Sequence, residues 1–170
     1  MSKCIIILGM HRSATSLIAK GLVSAGVNMG NAMLPADDGN QHGYYEDIDF
    51  LNMNKFLLAQ AGGDWFNPPP NRKIAELAKD RYITNEIKEL IKKKSAQQGL
   101  WGWKDPRTVL TVRLYHPYIK DPIYITAHRK VADIAKSLSV RNKIPHSQAT
   151  NLAVQYNQRL NNFLKDIGYK

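Results

Sequence analysis

Short apolar runs alternate along the chain with stripes at helical spacing. Ile5, Ile6, Ile7 and Leu8 form a continuous β-branched-rich run, the pattern of a strand buried on both faces of a parallel sheet. Leu17, Ile18, Leu22 and Ala25 then recur at helical spacing, with Gly26 placed to end the helix. Residues 27–45 hold many Gly, Asn and Asp with little periodicity, which predicts a long loop able to border a site. Phe50, Leu51, Asn54, Leu57, Leu58 and Ala61 mark one face of a second helix, closed by the "GG" and "NPPP" punctuation.

Ile74, Leu77 and Ala78, then Ile83, Ile87, Leu90 and Ile91, predict one helix over residues 73–94, its "KKK" a solvated, dipole-favoured end. "LWGWKDP" predicts a second strand ending at Lys104, and "PIYITAHR" a third ending near His128. Val131, Ile134, Ala135 and Leu138 follow as a helix, and Ala149, Leu152, Ala153, Tyr156, Leu160, Phe163, Leu164 and Ile167 define a long amphipathic one. This alternation predicts an α/β fold in three layers, a parallel sheet flanked by helices. Ligands of such sheets bind beyond the carboxyl ends of the strands. No repeat or linker is visible, and 170 residues correspond to a single domain.

Composition changes this picture in one respect. The 24 Lys and Arg outnumber the 14 Asp and Glu to leave a formal charge of +10, which favours an anionic partner such as a nucleotide, nucleic acid or acidic polymer. The basic residues are scattered without a stacking motif, so nucleic acid is the weakest of these. The opening "MSKCIIILGM" lacks a small-residue cleavage site and ends in a glycine loop, so it reads as a strand rather than a signal peptide. No apolar segment approaches the roughly 18 residues that span a bilayer, and no membrane partner is expected. The single cysteine, Cys4, permits no internal disulfide and fits a reducing compartment. The cytoplasm is the expected location.

The chemistry concentrates in "LGMHRSATSL", between the first strand and the first helix. The Walker phosphate loop reads G-x-x-x-x-G-K-[ST], its backbone amides and helix N-terminus surrounding phosphate. Here Gly9 opens the frame, Ala14 takes the second glycine position, Thr15 the lysine position, and Ser16 follows. The frame persists without its ATP lysine, which argues against an ordinary ATPase or kinase. A cation remains within the loop as Arg12.

With that substitution the loop resembles the sulfotransferases that use 3'-phosphoadenosine 5'-phosphosulfate, in which a cation precedes Ser-Gly-Thr-Thr or Ser-Gly-Thr-Ser; "RSATS" differs by Ala for Gly. The resemblance implies a P-loop-like topology and a loop, Gly9, His11, Arg12, Ser13, Ala14, Thr15 and Ser16, that grips the 5'-phosphosulfate, His11 through its backbone. Family members also hold the 3'-phosphate with an arginine at a strand end and a serine eight residues on; Arg129 and Ser137 in "AHRKVADIAKSLSVR" have that spacing, and Arg141 resembles a further basic contact. An arginine fork and a hydroxyl suit a phosphate dianion. The Lys-Asp-Pro of "WGWKDPRTVL" resembles the tyrosylprotein and Golgi-type members, which makes Lys104 the expected stabiliser of the transferring sulfuryl group. Read without the resemblance, Lys104 and Arg107 are surface charges and Asp105-Pro106 a helix cap.

The implied reaction is in-line transfer of a sulfuryl group to a hydroxyl or amine acceptor, with cations at the equatorial and leaving oxygens and a base on the attacking side. Arg12 and Lys104 are the expected cations, and Glu46 in "HGYYEDIDF" the expected base, ahead of Asp47, Asp105 and His42. Read alone, these acids satisfy a helix start. His116, His128 and His146 read as packing or solvated residues, Trp65, Trp101 and Trp103 as core, and no metal site is expected. Family members continue past the last helix with another strand and a basic glycine-containing loop, so the C-terminal part of the usual domain is expected to be missing. The competing reading is a non-catalytic or degenerate binder of adenosine bisphosphate or another polyanion. The acceptor and the oligomeric state are not specified by these residues.

Overall fold

The computed structural model describes residues 2–37, 43–96 and 99–169. They form a mixed α/β fold in which three parallel strands, β1 (Lys3–Leu8), β2 (Leu100–Lys104) and β3 (Ile123–Thr126), lie in the order β2-β1-β3. The apolar run at the start of the chain is thus the central strand, with Ile5 opposite Gly102 on one side and Ile123 on the other. Because successive side chains point to opposite faces, Cys4, Ile6 and Leu8 enter the larger core and Ile5 and Ile7 a smaller one. Both faces are covered, which is why the run carries no polar residue.

Around the sheet the described residues form seven α-helices: α1 (Thr15–Ser24), α2 (Ile48–Gln60), α3 (Asn71–Leu77), α4 (Arg81–Ser95), α5 (Thr108–Tyr115), α6 (Val131–Asn142) and α7 (His146–Asp166). Helix α1 closes the smaller core through Ala19, with Ile18 and Leu22 half-buried. Leu17, counted in the apolar stripe, is instead 70% exposed. It follows the buried Thr15 by two residues, about 200° around the helix, and so faces the other way. Gly26, at φ +85°, lies just past the helix end as anticipated.

The larger core joins the other helices to the opposite face. Its centre is aromatic, with Phe50 of α2 stacked on Trp103 of β2 at 4.0 Å between ring centroids and Tyr115 edge-on to both. Trp101 and Trp103 are core, whereas Trp65 is half-buried. Among the described residues no helix is long and apolar enough to cross a membrane.

Three sequence expectations are corrected here. The helix expected over residues 73–94 is two helices, because Asp80 accepts from the amides of Tyr82 and Ile83 and starts a new N-terminus inside the apolar stripe. The "KKK" end is solvated only in part: Lys92 and Lys93 are exposed, but Lys94 is 5% exposed, with its ammonium 2.6 Å from Asp47 and 2.9 Å from Asp49. The third strand ends at Thr126, although Ala127 still donates to Leu8.

Candidate functional site

At the carboxyl end of β1 the chain turns sharply. A Cβ on Gly9 would stand 2.9 Å from Ala127 and from the Ser13 hydroxyl, so only glycine lets the ends of β1 and β3 approach this closely. The turn is braced from within, since both the amide and the hydroxyl of Ser13 donate to the Met10 carbonyl. Arg12 and Ala14 are held at φ +67° and +66°. Ala14, in the second glycine position, thereby adopts a left-handed conformation that disfavours any side chain. Helix α1 starts at Thr15 without a side-chain cap, which leaves first-turn amides without an intrahelical acceptor.

Those amides border a cavity of about 230 Å³. Ala14, Thr15 and Ser16 form one wall, and among the described residues the cations Arg12, Lys104, Arg129 and Arg141 converge on it with a single acid, Glu46. The residues come from four separate segments. Arg129 follows β3 and donates through Nη1 to the Arg12 carbonyl at 2.9 Å, while the Arg12 Nε donates to the Ser137 hydroxyl of α6 at 2.8 Å. One turn further along α6, Arg141 lies over the Trp65 ring, 6.0 Å from its centroid.

Lys104 ends β2 and is 2% exposed. Its ammonium donates to the Tyr44 carbonyl and to Glu46 Oε1, both at 2.8 Å. The second oxygen of Glu46 accepts from Arg107 at 3.3 Å, and the same Arg107 nitrogen donates to Asp105 at 2.8 Å. Burial, and then the neighbouring Asp105, raise the pKa of Glu46, while Lys104 and Arg107 oppose the shift. Burial also lowers the pKa of Arg141, with Arg12 adding to it.

His11 stands in the same wall, 8% exposed, its ring 4.6 Å from Trp65 between centroids and edge-on to Tyr156. Its Nε2 is buried without a hydrogen-bond partner. Burial, then Arg107, Arg141, Lys104 and Arg12, hold the imidazole neutral well below its ordinary pKa.

Most of the expected site residues therefore meet at one cavity: His11, Arg12, Ala14, Thr15, Ser16, Glu46, Lys104, Arg129 and Arg141 line it, and Ser137 holds Arg12. Gly9 and Ser13 shape the loop rather than the wall. Of the reserve bases, Asp47 caps α2 and binds Lys94, Asp105 is buried beside Arg107 and Asn54, and His42 lies outside the described residues. His116 packs on Tyr124 and Phe163, while His128 and His146 are exposed.

Sequence reasoning missed Tyr44, Pro106 and Arg107. Tyr44 lines the cavity and its carbonyl also accepts from Ser16. Its phenol, raised to about 12 chiefly by burial and then by the hydrogen bond to Asp37, stays protonated. The adjacency of Arg107 to "KDP" was the available signal. Among the described residues, no cluster of three or more His, Cys, Asp and Glu side chains could hold a metal ion. Comparison with family models, with curated proteins and with solved structures finds no match to this chain.

Proposed function

We propose that the protein transfers a sulfuryl group from 3'-phosphoadenosine 5'-phosphosulfate to a hydroxyl or amine acceptor. The observation that carries this reading is the junction of two distant motifs: Arg129 holds the Arg12 carbonyl and Ser137 holds the Arg12 side chain, across separations of 117 and 125 residues. A strand-to-helix turn with no ligand has no use for three more cations at its mouth. Net charge supports the same conclusion, since among the described residues four cations face one acid in the cavity, an imbalance that an anion with several charges removes.

At about 230 Å³ the cavity is smaller than the roughly 300–1,000 Å³ of pockets that enclose whole drug-sized ligands. On this reading it takes the phosphosulfate and the nucleoside lies toward the 3'-phosphate contacts at Arg129 and Ser137. The open amides of α1 and the Arg12 guanidinium grip the 5'-phosphosulfate, as a helix N-terminus does in P-loop folds. Lys104 meets the charge that develops on the sulfuryl oxygens and the bridging oxygen. Glu46, with both oxygens engaged, keeps Lys104 pointed at the cavity. The P-loop-like topology, a single domain and a cytoplasmic setting belong to the same proposal.

Calorimetry with adenosine 3',5'-bisphosphate tests it. Micromolar binding is expected, and Arg129→Ala, which removes a charged hydrogen-bond donor, should weaken it about 10- to 100-fold. An absence of binding to the unaltered chain removes the proposal.

A further inference from the structure

An attacking hydroxyl has to give up a proton, and the cavity offers few groups that could receive it. Among the described residues Glu46 is the only acid in the wall, but its two oxygens already accept from Lys104 and Arg107. A proton placed there would loosen the lysine that the reaction needs. The Ser16 hydroxyl and the Tyr44 phenol are donors to Tyr44 and Asp37.

His11 is different. Among the described residues no protein group hydrogen-bonds its ring, and Nε2 is sealed from solvent with no partner. An unpaired buried ring nitrogen costs stability, and its retention in the wall of a cavity calls for a functional reason. Burial first, and then the groups around it, explain its state: Arg107 ahead of α5, Arg141 from α6, Lys104 from the end of β2 and Arg12 from the loop all disfavour an imidazolium, while Tyr156 of α7 and Trp65 supply only aromatic contact. Glu46 and Asp105 are spent on Lys104 and Arg107.

We propose that His11 is a catalytic residue whose imidazole takes the proton of the attacking hydroxyl, Glu46 serving instead as the anchor of Lys104. The inference rests on the sulfuryl-transfer reading. The hydroxyl oxygen forms the new O–S bond, the S–O bond to the 5'-phosphate breaks, and its electron pair leaves with adenosine 3',5'-bisphosphate. The hydroxyl proton passes to Nδ1, because Nε2 is sealed, and from there to water. Burial is the largest influence against an imidazolium and stays in place, but the negative charges of the donor offset the four cations that add to it, so the ring becomes more basic when the donor is seated.

The full-length His11→Gln and His11→Phe variants test this with labelled donor and two acceptors, an aliphatic alcohol and a nitrophenol already ionised at the assay pH. Both variants should bind adenosine 3',5'-bisphosphate as the unaltered chain does, which also shows that they fold. With the alcohol, turnover should fall about 10²- to 10⁴-fold. With the nitrophenolate, which has no proton to lose, the fall should be less than about tenfold. Glu46→Gln, acting through Lys104, should reduce both reactions alike. Equal losses with the two acceptors in the His11 variants, or alcohol turnover within about tenfold of normal, overturn the role of His11 and leave sulfuryl transfer standing. An unaltered chain that neither binds the nucleotide nor transfers to any acceptor overturns both.

Discussion

Glu46 and Asp47 are consecutive acids, both buried, each paired with a buried lysine, and they are used in opposite ways. Asp47 caps α2 through the amides of Asp49 and Phe50 and binds Lys94, which also reaches Asp49. Lys93 joins Asp49 from outside, so two lysines meet two aspartates and the charges balance. Glu46 points to the other side, where Arg12, Lys104, Arg129 and Arg141 leave the described residues of the cavity with an excess of three positive charges, four cations less one acid. The helix starts differ in the same sense: α2 has a satisfied cap, whereas α1 begins at Ala14 without one. One region is electrostatically closed and holds helices together; the other is electrostatically open and keeps an excess of positive charge.

Removing each lysine should separate these uses. Lys94→Ala strips Asp47 of its buried counter-ion and should lower unfolding free energy by about 3–5 kcal/mol in urea titration, leaving the affinity for adenosine 3',5'-bisphosphate unchanged. Nucleotide binding that weakened in step with stability would erase the distinction between the regions. Lys104→Ala should do the reverse, lowering turnover about 10²- to 10³-fold with little effect on nucleotide affinity. Its cost in stability should be smaller than that of Lys94→Ala, because Glu46 keeps Arg107. Sulfuryl transfer unchanged in Lys104→Ala counts against the role given to that lysine.

The open region was more legible in the sequence than the closed one. Its residues sit where strands end and helices begin, so local patterns such as "LGMHRSATSL" and "WGWKDP" bring Arg12 and Lys104 to one edge of the sheet by topology alone. The pairing of Lys94 with Asp47 spans 47 residues and joins two helices, and nothing in "KKK" distinguishes the buried lysine from its exposed neighbours. Arg107 reads as surface charge in the sequence because one of its two acidic partners, Glu46, lies 61 residues away. The break at Asp80 had a local signal in the N-cap residue, but the apolar stripe runs through it and masks it. The neutrality of His11 depends on burial and then on four cations brought in by separate elements, which only the folded chain assembles.

That neutrality makes the open region sensitive to acid. The unfolded chain binds a proton at His11 below about pH 6.5, the ordinary histidine value, whereas the folded chain does not until a much lower pH. The unfolded state therefore holds more protons in that window, and stability contributed by this group falls as pH drops, by at most about 1.4 kcal/mol per pH unit. Glu46 works the other way, since its raised pKa favours the folded chain on acidification. Comparing urea unfolding at pH 7 and pH 5 in the unaltered chain and in His11→Phe isolates the histidine. The variant should lose less stability than the parent on acidification, and an identical loss would mean that the ring is not held neutral.

The smallest effect expected concerns the loop backbone. Ala14 sits at φ +66° where a glycine would be at ease. The left-handed conformation costs an L-residue about 1–2 kcal/mol, and glycine gives back part of that through its freer unfolded chain, so Ala14→Gly should stabilise by no more than about 1 kcal/mol. No such gain is available at the start of α2, where Asp47 has an extended backbone and its side chain is the cap. Thermal unfolding measures the gain, and nucleotide calorimetry asks what the methyl group does in return. If affinity is unchanged, the strain at Ala14 serves only to keep the loop in its turn. If Ala14→Gly tightens binding, the methyl group is what limits how closely the backbone approaches the phosphate.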